Sequence, residues 1–158
     1  MSMPENFRPG FRAVTGSHRF TADEIVAFAK KFDRQPFHLD EGAAKASLFG
    51  GLCASGWHTA AMWMRKQRDH MAALTARQQA EGIIPVEYGP SPGFRNLRWP
   101  RPVFAGDEVT FFSEMADRRP SASMPGWHVL TLLNGGDNQD GEPVLRFEST
   151  AFARLAER

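Results

Sequence analysis

Apolar residues recur with helical spacing in the first half of the chain. After position 24 they lie at i, i+3, i+4 and i+7 on one helix face: Ile25, Phe28, Ala29 and Phe32. Thr21 and Glu24 form a T-x-x-E capping box, in which the Thr21 hydroxyl accepts from a backbone amide and Glu24 reaches back to the cap. We expect this helix to end near Asp33, because Pro36 disfavours helical geometry just before it. Asp40 is the predicted N-cap of a short helix over 41–46.

A second, longer helix is predicted from Ser55 and Gly56 into the seventies, ending before Gly82. Residues 56–64 are apolar nearly all the way round, whereas the sequence from Arg65 onward is charged and polar. A helix that is apolar on every side must be enclosed. We therefore expect the first two to three turns to be wrapped by protein and the rest to project outward.

The second half of the chain changes to the two-residue period of strands. Runs of this kind or of continuous apolar residues lie at 109–115, 127–133 and 145–153, with shorter candidates at 11–20 and 97–99. The run 127–133 is apolar on both faces, as a buried strand would be. Asp140-Gly141 is typical of a tight antiparallel connection between the last two runs.

Helices followed by strands indicate an α+β fold with an antiparallel sheet. One enclosed helix and about five strands predict a sheet wrapped around a central helix, which is a single hotdog fold. We predict one domain over 1–158, with its core at about 18–155. Because one such unit leaves sheet edges and a helix flank open, we expect a homodimer or a higher oligomer.

Composition narrows the functional classes. The chain has 158 residues and 19 basic against 18 acidic side chains, so its near-neutral charge argues against a nucleic-acid-binding surface. No apolar run approaches the roughly 20 residues of a membrane span. The single cysteine, Cys53, excludes an internal disulfide and a cysteine-based zinc site, and we expect a reducing, cytoplasmic setting. Thirteen phenylalanines against one tyrosine indicate a dry aromatic core or an apolar ligand channel.

Asp33 and His38 are the strongest candidates for chemistry. They lie five residues apart across a turn that Pro36 stiffens, between two predicted helices. A rigid turn can direct an acid and an imidazole at one bound water, as acid/base catalysis requires. The alternative is structural, with Asp33 ending a helix and His38 a partly buried, hydrogen-bonded histidine. The spacing alone leaves both open.

The stretch FDRQPFHLDEGAAKASLFGGLCASG, residues 32–56, resembles the hydratase signature of the MaoC-like family, which includes the (R)-specific enoyl-CoA hydratases. The family pattern is D-x-N-P-x-H-x-D, then a small helix, a phenylalanine-glycine turn and H-G. The matching residues are Asp33, Pro36, His38, Asp40, Phe49 and Gly56. Gln35 replaces the usual asparagine, and Ser55 replaces the histidine before the glycine. Residues 91–108 resemble the family's strand and P-V-x-x-G-D turn, so the resemblance covers about 18–155.

The resemblance implies a hydratase or dehydratase acting on a 2-enoyl or 3-hydroxyacyl thioester. Asp33 would be the base on the attacking water, His38 would hold that water and assist proton delivery, and the Gly56 amide would donate to the thioester oxygen. The implied substrate-binding residues are Gln35, Pro36, Phe37, Ser55 and Trp57. The acyl carrier would be coenzyme A or acyl carrier protein, with no metal and no redox cofactor.

Two other functions remain open: a hotdog thioesterase, and a non-catalytic acyl-thioester-binding protein. The D-x-x-P-x-H spacing argues against the first, whereas the changes at Gln35 and Ser55 keep the second open. Ser55 and Gly56 can also be a plain helix start with Ser55 as the cap. We interpret Cys53 as a structural thiol, since the sequence places no activating base beside it. His58 is expected to pack near the dimer interface or the channel.

Overall fold

The computed structural model describes residues 3–156. The helical elements are a 3₁₀ turn at Glu5–Phe7 and four α-helices: α1 Ala22–Phe32, α2 Pro36–Leu39, α3 Glu41–Lys45 and α4 Gly56–Ala80. The strands are β1 Arg12–Arg19, β2 Val86–Tyr88, β3 Gly93–Arg98, β4 Glu108–Pro120, β5 His128–Asp137 and β6 Pro143–Leu155.

The six strands form one antiparallel sheet that curls around α4. Its order is β1-β4-β5-β6-β2, and β3 also pairs with β6. The Trp63 indole in α4 donates a 3.1 Å hydrogen bond to the Phe112 carbonyl of β4, and its ring packs edge-on against Phe147 of β6. Ile25 of α1 and Phe111 of β4 are fully buried in the same core. This is the predicted α+β architecture, with an antiparallel sheet wrapped around a central helix.

The start of α1 confirms half of the predicted capping box. The Thr21 hydroxyl accepts a 3.3 Å hydrogen bond from the Glu24 amide, and the helix gives way to Asp33 at its C-cap. Glu24 does not reach back to the cap. Its carboxylate instead contacts His18 of β1 at 2.5 Å and lies 3.6 Å from His58 of α4. The carboxylate thus has two histidine partners that a sequence pattern within one helix cannot reveal.

The long helix α4 has the predicted bounds, but its burial differs from the prediction. Its second half does not project outward, because Met71, Leu74 and Gln78 form a buried face. Gln78 donates a 2.7 Å hydrogen bond to Asn6 beside the N-terminal turn. Its first turns are not enclosed on every side. Within residues 3–156, no helix is both long and apolar enough to cross a membrane.

The predictions of the elements need three further corrections. β2 was not predicted, since three residues are too few to show a period. Residues 36–39, expected as a turn, form the one-turn helix α2, in which Pro36 takes a first-turn position that requires no backbone donor. β5 begins at residue 128 and is not buried on both faces, because Leu133 is 41% exposed. The predicted turn at Asp140-Gly141 is present, with Gly141 at a positive φ of 74°.

Candidate active site

The candidate site lies where α1 ends, α2 turns and α4 begins. The segment 52–55, which leads into α4, is held on both sides by backbone hydrogen bonds. The Cys53 amide donates to the Phe37 carbonyl at 3.3 Å, and the Ala54 amide donates to the Val103 carbonyl at 2.8 Å. These bonds fix α2 and the start of α4 relative to each other.

His38 is buried and has a defined orientation. It is 5% exposed, and its Nδ1 lies 2.6 Å from the Cys53 carbonyl oxygen. Because a carbonyl only accepts, we assign the proton to Nδ1. In the neutral ring Nε2 then carries a lone pair, and it lies 3.5 Å from Oδ2 of Asp33. The structure thus brings together the two residues that the sequence singles out.

Two side-chain donors hold the Asp33 carboxylate. Gln35 Nε2 donates to Oδ1 at 2.9 Å, and the Ser55 hydroxyl donates to Oδ2 at 2.7 Å. Burial raises the pKa of Asp33, but the hydrogen bonds from Ser55 and Gln35, with His38 nearby, outweigh burial and bring the pKa below its ordinary value. Asp33 is therefore ionised at neutral pH and can act as an acceptor.

The N-terminus of α4 is left without a side-chain cap. Ser55 occupies the N-cap position, yet its side chain makes no capping hydrogen bond. Its backbone carbonyl accepts from the amides of His58 and Thr59. The two preceding amides, of Gly56 and Trp57, have no protein acceptor within residues 3–156. Free amides at a helix N-terminus favour an anion or a developing negative charge. Ser55 is therefore not the plain cap that one interpretation of the sequence expected.

A cleft of about 440 Å³ opens beside these groups. Its acid/base residues are Asp33 and His38, and the other residues that line it are mostly apolar or aromatic, among them Phe37, Phe49, Ala54, Trp57, Trp99, Val103 and Val144. Trp57 and Trp99 pack edge to face with centroids 5.2 Å apart, and they are 53% and 40% exposed. The cleft can therefore hold an apolar chain next to an acid/base pair.

The indole of Trp99 lies directly against Gly56. A Cβ atom on Gly56 would overlap the ring, so only glycine fits there in this arrangement. Trp99 was not among the predicted site residues, although it directly precedes Pro100, which restricts its backbone to extended geometry. The other unpredicted lining residues include Thr59 and Arg101; Arg101 also forms a 2.6 Å ion pair with Glu142.

The predicted site residues fall into two groups. Asp33, Gln35, Phe37, His38, Gly56 and Trp57 line the cleft. Pro36 and Ser55 are not among its lining residues: Pro36 begins α2, and Ser55 is fully buried behind Asp33. His58 lies on the α1 side of α4, where it stacks on Phe28 at 4.6 Å.

A curled antiparallel sheet around one long helix defines a hotdog fold, and here a carboxylate and an imidazole lie together at that helix's N-terminus. The family model "MaoC like domain" matches residues 10–125. The chain belongs to this MaoC-like family.

Individual relatives agree with this assignment. The crystal structure of the MaoC-like dehydratase from Rhodospirillum rubrum shares 36% identity at a TM-score of 0.74, covering 98% of this chain and 97% of that one. The (R)-hydratase from A. caviae involved in PHA biosynthesis shares 26% identity at a TM-score of 0.62, covering 94% and 97%. The uncharacterised protein YdeM of Bacillus subtilis (strain 168) is 28% identical over 150 residues, 95% of this chain and 97% of YdeM. The two solved structures confirm the fold and, with the family model, support a hydratase or dehydratase activity.

The environment of Cys53 generates a test of its chemistry. Its side chain is buried, and burial raises the pKa of the thiol to about 11. At pH 8 we expect a disulfide reagent such as DTNB to react about a hundredfold more slowly with native protein than with urea-unfolded protein, because the thiolate is the reactive form. Equal labelling rates in the two states would show that Cys53 is an accessible nucleophile.

Proposed function

We propose that the protein is a hydratase or dehydratase that interconverts a 2-enoyl thioester and water with a 3-hydroxyacyl thioester. One observation carries the proposal: the Asp33 carboxylate and His38 Nε2 lie 3.5 Å apart beside the uncapped N-terminus of α4. Family membership and the similarity to an (R)-hydratase support it.

The acid/base step uses two acceptors that face each other. A water in the cleft can donate one O–H to Asp33 Oδ2 and the other to His38 Nε2, which directs an oxygen lone pair towards C3 of the substrate. As the bond from this oxygen to C3 forms, Asp33 takes one proton and the C2–C3 π electrons move towards the thioester oxygen. The same proton then passes to C2, which restores the carboxylate.

We assign the stabilisation of the negative charge that develops on the thioester oxygen to the N-terminus of α4. Among residues 3–156 the amide of Gly56 has no protein acceptor, and it lies at the positive end of a 25-residue helix. The carboxylate, the imidazole and the amide together meet the needs of this reaction without a metal or a redox cofactor. Gln35, Pro36, Phe37, Ser55 and Trp57 stay the proposed substrate-binding set, with Pro36 and Ser55 acting from outside the cleft wall.

We propose coenzyme A as the carrier, with acyl carrier protein as the alternative, and a cytoplasmic setting.

Crotonyl-CoA tests the function when enoyl absorbance and free thiol are followed together. Loss of the enoyl band without thiol release is the expected result. Thiol release would instead identify a thioesterase, and saturable binding without either change would identify a non-catalytic acyl-thioester-binding protein.

The acid/base pair can be tested with near-isosteric variants. Asp33→Asn and His38→Asn should each lower kcat by at least about a hundredfold, the usual scale for acid/base groups. The asparagine at 38 can still donate to the Cys53 carbonyl while it lacks Nε2, so the variant separates chemistry from the buried hydrogen bond. Turnover should be compared beside thermal melting. Near-parental turnover in either variant would remove that residue from the mechanism.

The contact between Gly56 and Trp99 gives a second test. Gly56→Ala should lower turnover by about a hundredfold or more, the scale of a lost oxyanion donor, because the added methyl group overlaps the indole and one of them must move. The double variant Gly56→Ala/Trp99→Ala removes that overlap, and we expect it to recover activity relative to Gly56→Ala. Trp99→Ala alone is the control. A double variant no better than Gly56→Ala would place the loss elsewhere.

We also propose that the protein works as a homodimer joined along α4 and the sheet edges. Trp57 and Met64 leave an apolar stripe on α4, each more than half exposed. Phe94 on β3 is 58% exposed, and in the part of the chain that the structure describes β3 hydrogen-bonds to one neighbouring strand, β6, which leaves its other edge open. Exposed apolar side chains beside an open strand edge fit a second copy of the chain.

Sedimentation checks the assembly. The native protein should sediment at micromolar concentration as at least a dimer of the 17.7 kDa chain. Met64→Glu should shift it towards the monomer, because the new charge would be buried in the contact. Ala76→Glu, which places the same group on an exposed position nearer the end of α4, is the matched control. A native protein that sediments only as a monomer would contradict the proposal.

A further inference from the structure

Ser55 occupies the N-cap position of α4 but uses its hydroxyl for a different purpose. We infer that Ser55 is a positioning residue for Asp33: its hydroxyl orients the carboxylate and, by doing so, leaves the Trp57 amide at the start of α4 uncapped. The inference deepens the proposed function and rests on it. It also gives a role to a position where the family signature has histidine.

The geometry gives the Ser55 hydroxyl one partner for its proton. The residue is completely buried, so water does not compete for the hydroxyl. The Oγ atom donates to Asp33 Oδ2 at 2.7 Å, across 22 residues of sequence. A serine at an N-cap ordinarily accepts from an amide of the first helical turn, and here that bond is missing.

The acceptor oxygen is the one that faces His38. Oδ2 of Asp33 receives the Ser55 hydroxyl and lies 3.5 Å from His38 Nε2, while Oδ1 receives the Gln35 amide. With a side-chain donor on each oxygen and the Gln35 backbone amide as a further donor, the carboxylate is held in place at the wall of the cleft. The donors also favour the charged form, which agrees with the lowered pKa of Asp33.

The orientation of the Ser55 hydroxyl also affects the backbone amides at the start of α4. If the Ser55 side chain capped α4, its oxygen would occupy an amide of the first turn and compete with a thioester oxygen for that end of the helix. Because the hydroxyl turns to Asp33, the base is anchored and the amide of Trp57, the second residue of α4 and a normal partner of an N-cap side chain, stays uncapped.

The test uses two readouts, of which one needs no substrate. Ser55→Ala should lower kcat by about tenfold or more with little change in KM, since a hydrogen bond to a charged group is lost. The acidic limb of its pH–rate profile should move to higher pH, because fewer donors then favour the ionised carboxylate. Carbon-13 NMR titration of the Asp33 carboxyl should move in the same direction. Gln35→Ala, which removes the donor on the other oxygen, should do likewise.

Ser113→Ala is the matched control. Ser113 is also buried, and its hydroxyl donates at 2.7 Å to Asn134, away from the cleft. This variant should lose comparable stability while both titrations stay at the parental pH. If Ser55→Ala does not fold, Ser55→Cys keeps the size with a weaker donor and takes its place.

The outcomes separate the two proposals. An Asp33 titration that is the same in Ser55→Ala and in native protein would overturn the role of Ser55, whatever the activity. A native protein that turns over no enoyl thioester would overturn the proposed function, and the NMR titration would still decide whether Ser55 holds the carboxylate.

Discussion

The backbone hydrogen bonds on either side of the short segment 52–55 position the His38 imidazole, Ser55 and the N-terminus of α4. This segment is bonded to α2 through Phe37 and to the turn before β4 through Val103 and Ala105. Its own carbonyl at Cys53 orients His38, and the central helix begins directly after the segment, at Gly56. A shift of this backbone would move the imidazole, the serine and the helix N-terminus together. The site is therefore rigid because of main-chain bonds, and the side chains take their places from it.

Polar and apolar groups are sharply separated around this segment. Behind it lie the fully buried residues of the core, such as Phe20 and Phe111. In front of it lies a cleft with aromatic walls formed by Phe37 and Phe49. The phenylalanine-rich composition thus serves both a dry core and a channel.

The sequence predicted those features that depend on neighbouring residues. Helical spacing placed α1, the proline explained its end, and a motif over residues 32–56 identified Asp33, His38 and Gly56 as candidates. What the sequence did not predict depends on contacts between distant segments. The Glu24 carboxylate turns from its own cap to two histidines, and Trp99 lies against a glycine 43 positions earlier in the chain. The buried face of the second half of α4 was missed for the same reason, because three residues among many charged ones form a face only when a partner covers them.

The bond between His38 and the Cys53 carbonyl has a consequence for proton movement. One ring nitrogen of His38 is engaged permanently by a group that cannot take a proton, so the imidazole has no second exit through which a proton could pass to bulk solvent. The His38 ring therefore does not pass protons from one nitrogen through to the other. Any proton that reaches Nε2 from the cleft must leave by the same face, towards Asp33 or towards whatever occupies the cleft. The Asp33–His38 pair therefore exchanges protons on the cleft side alone, where it can move hydrogen between two atoms of one bound molecule.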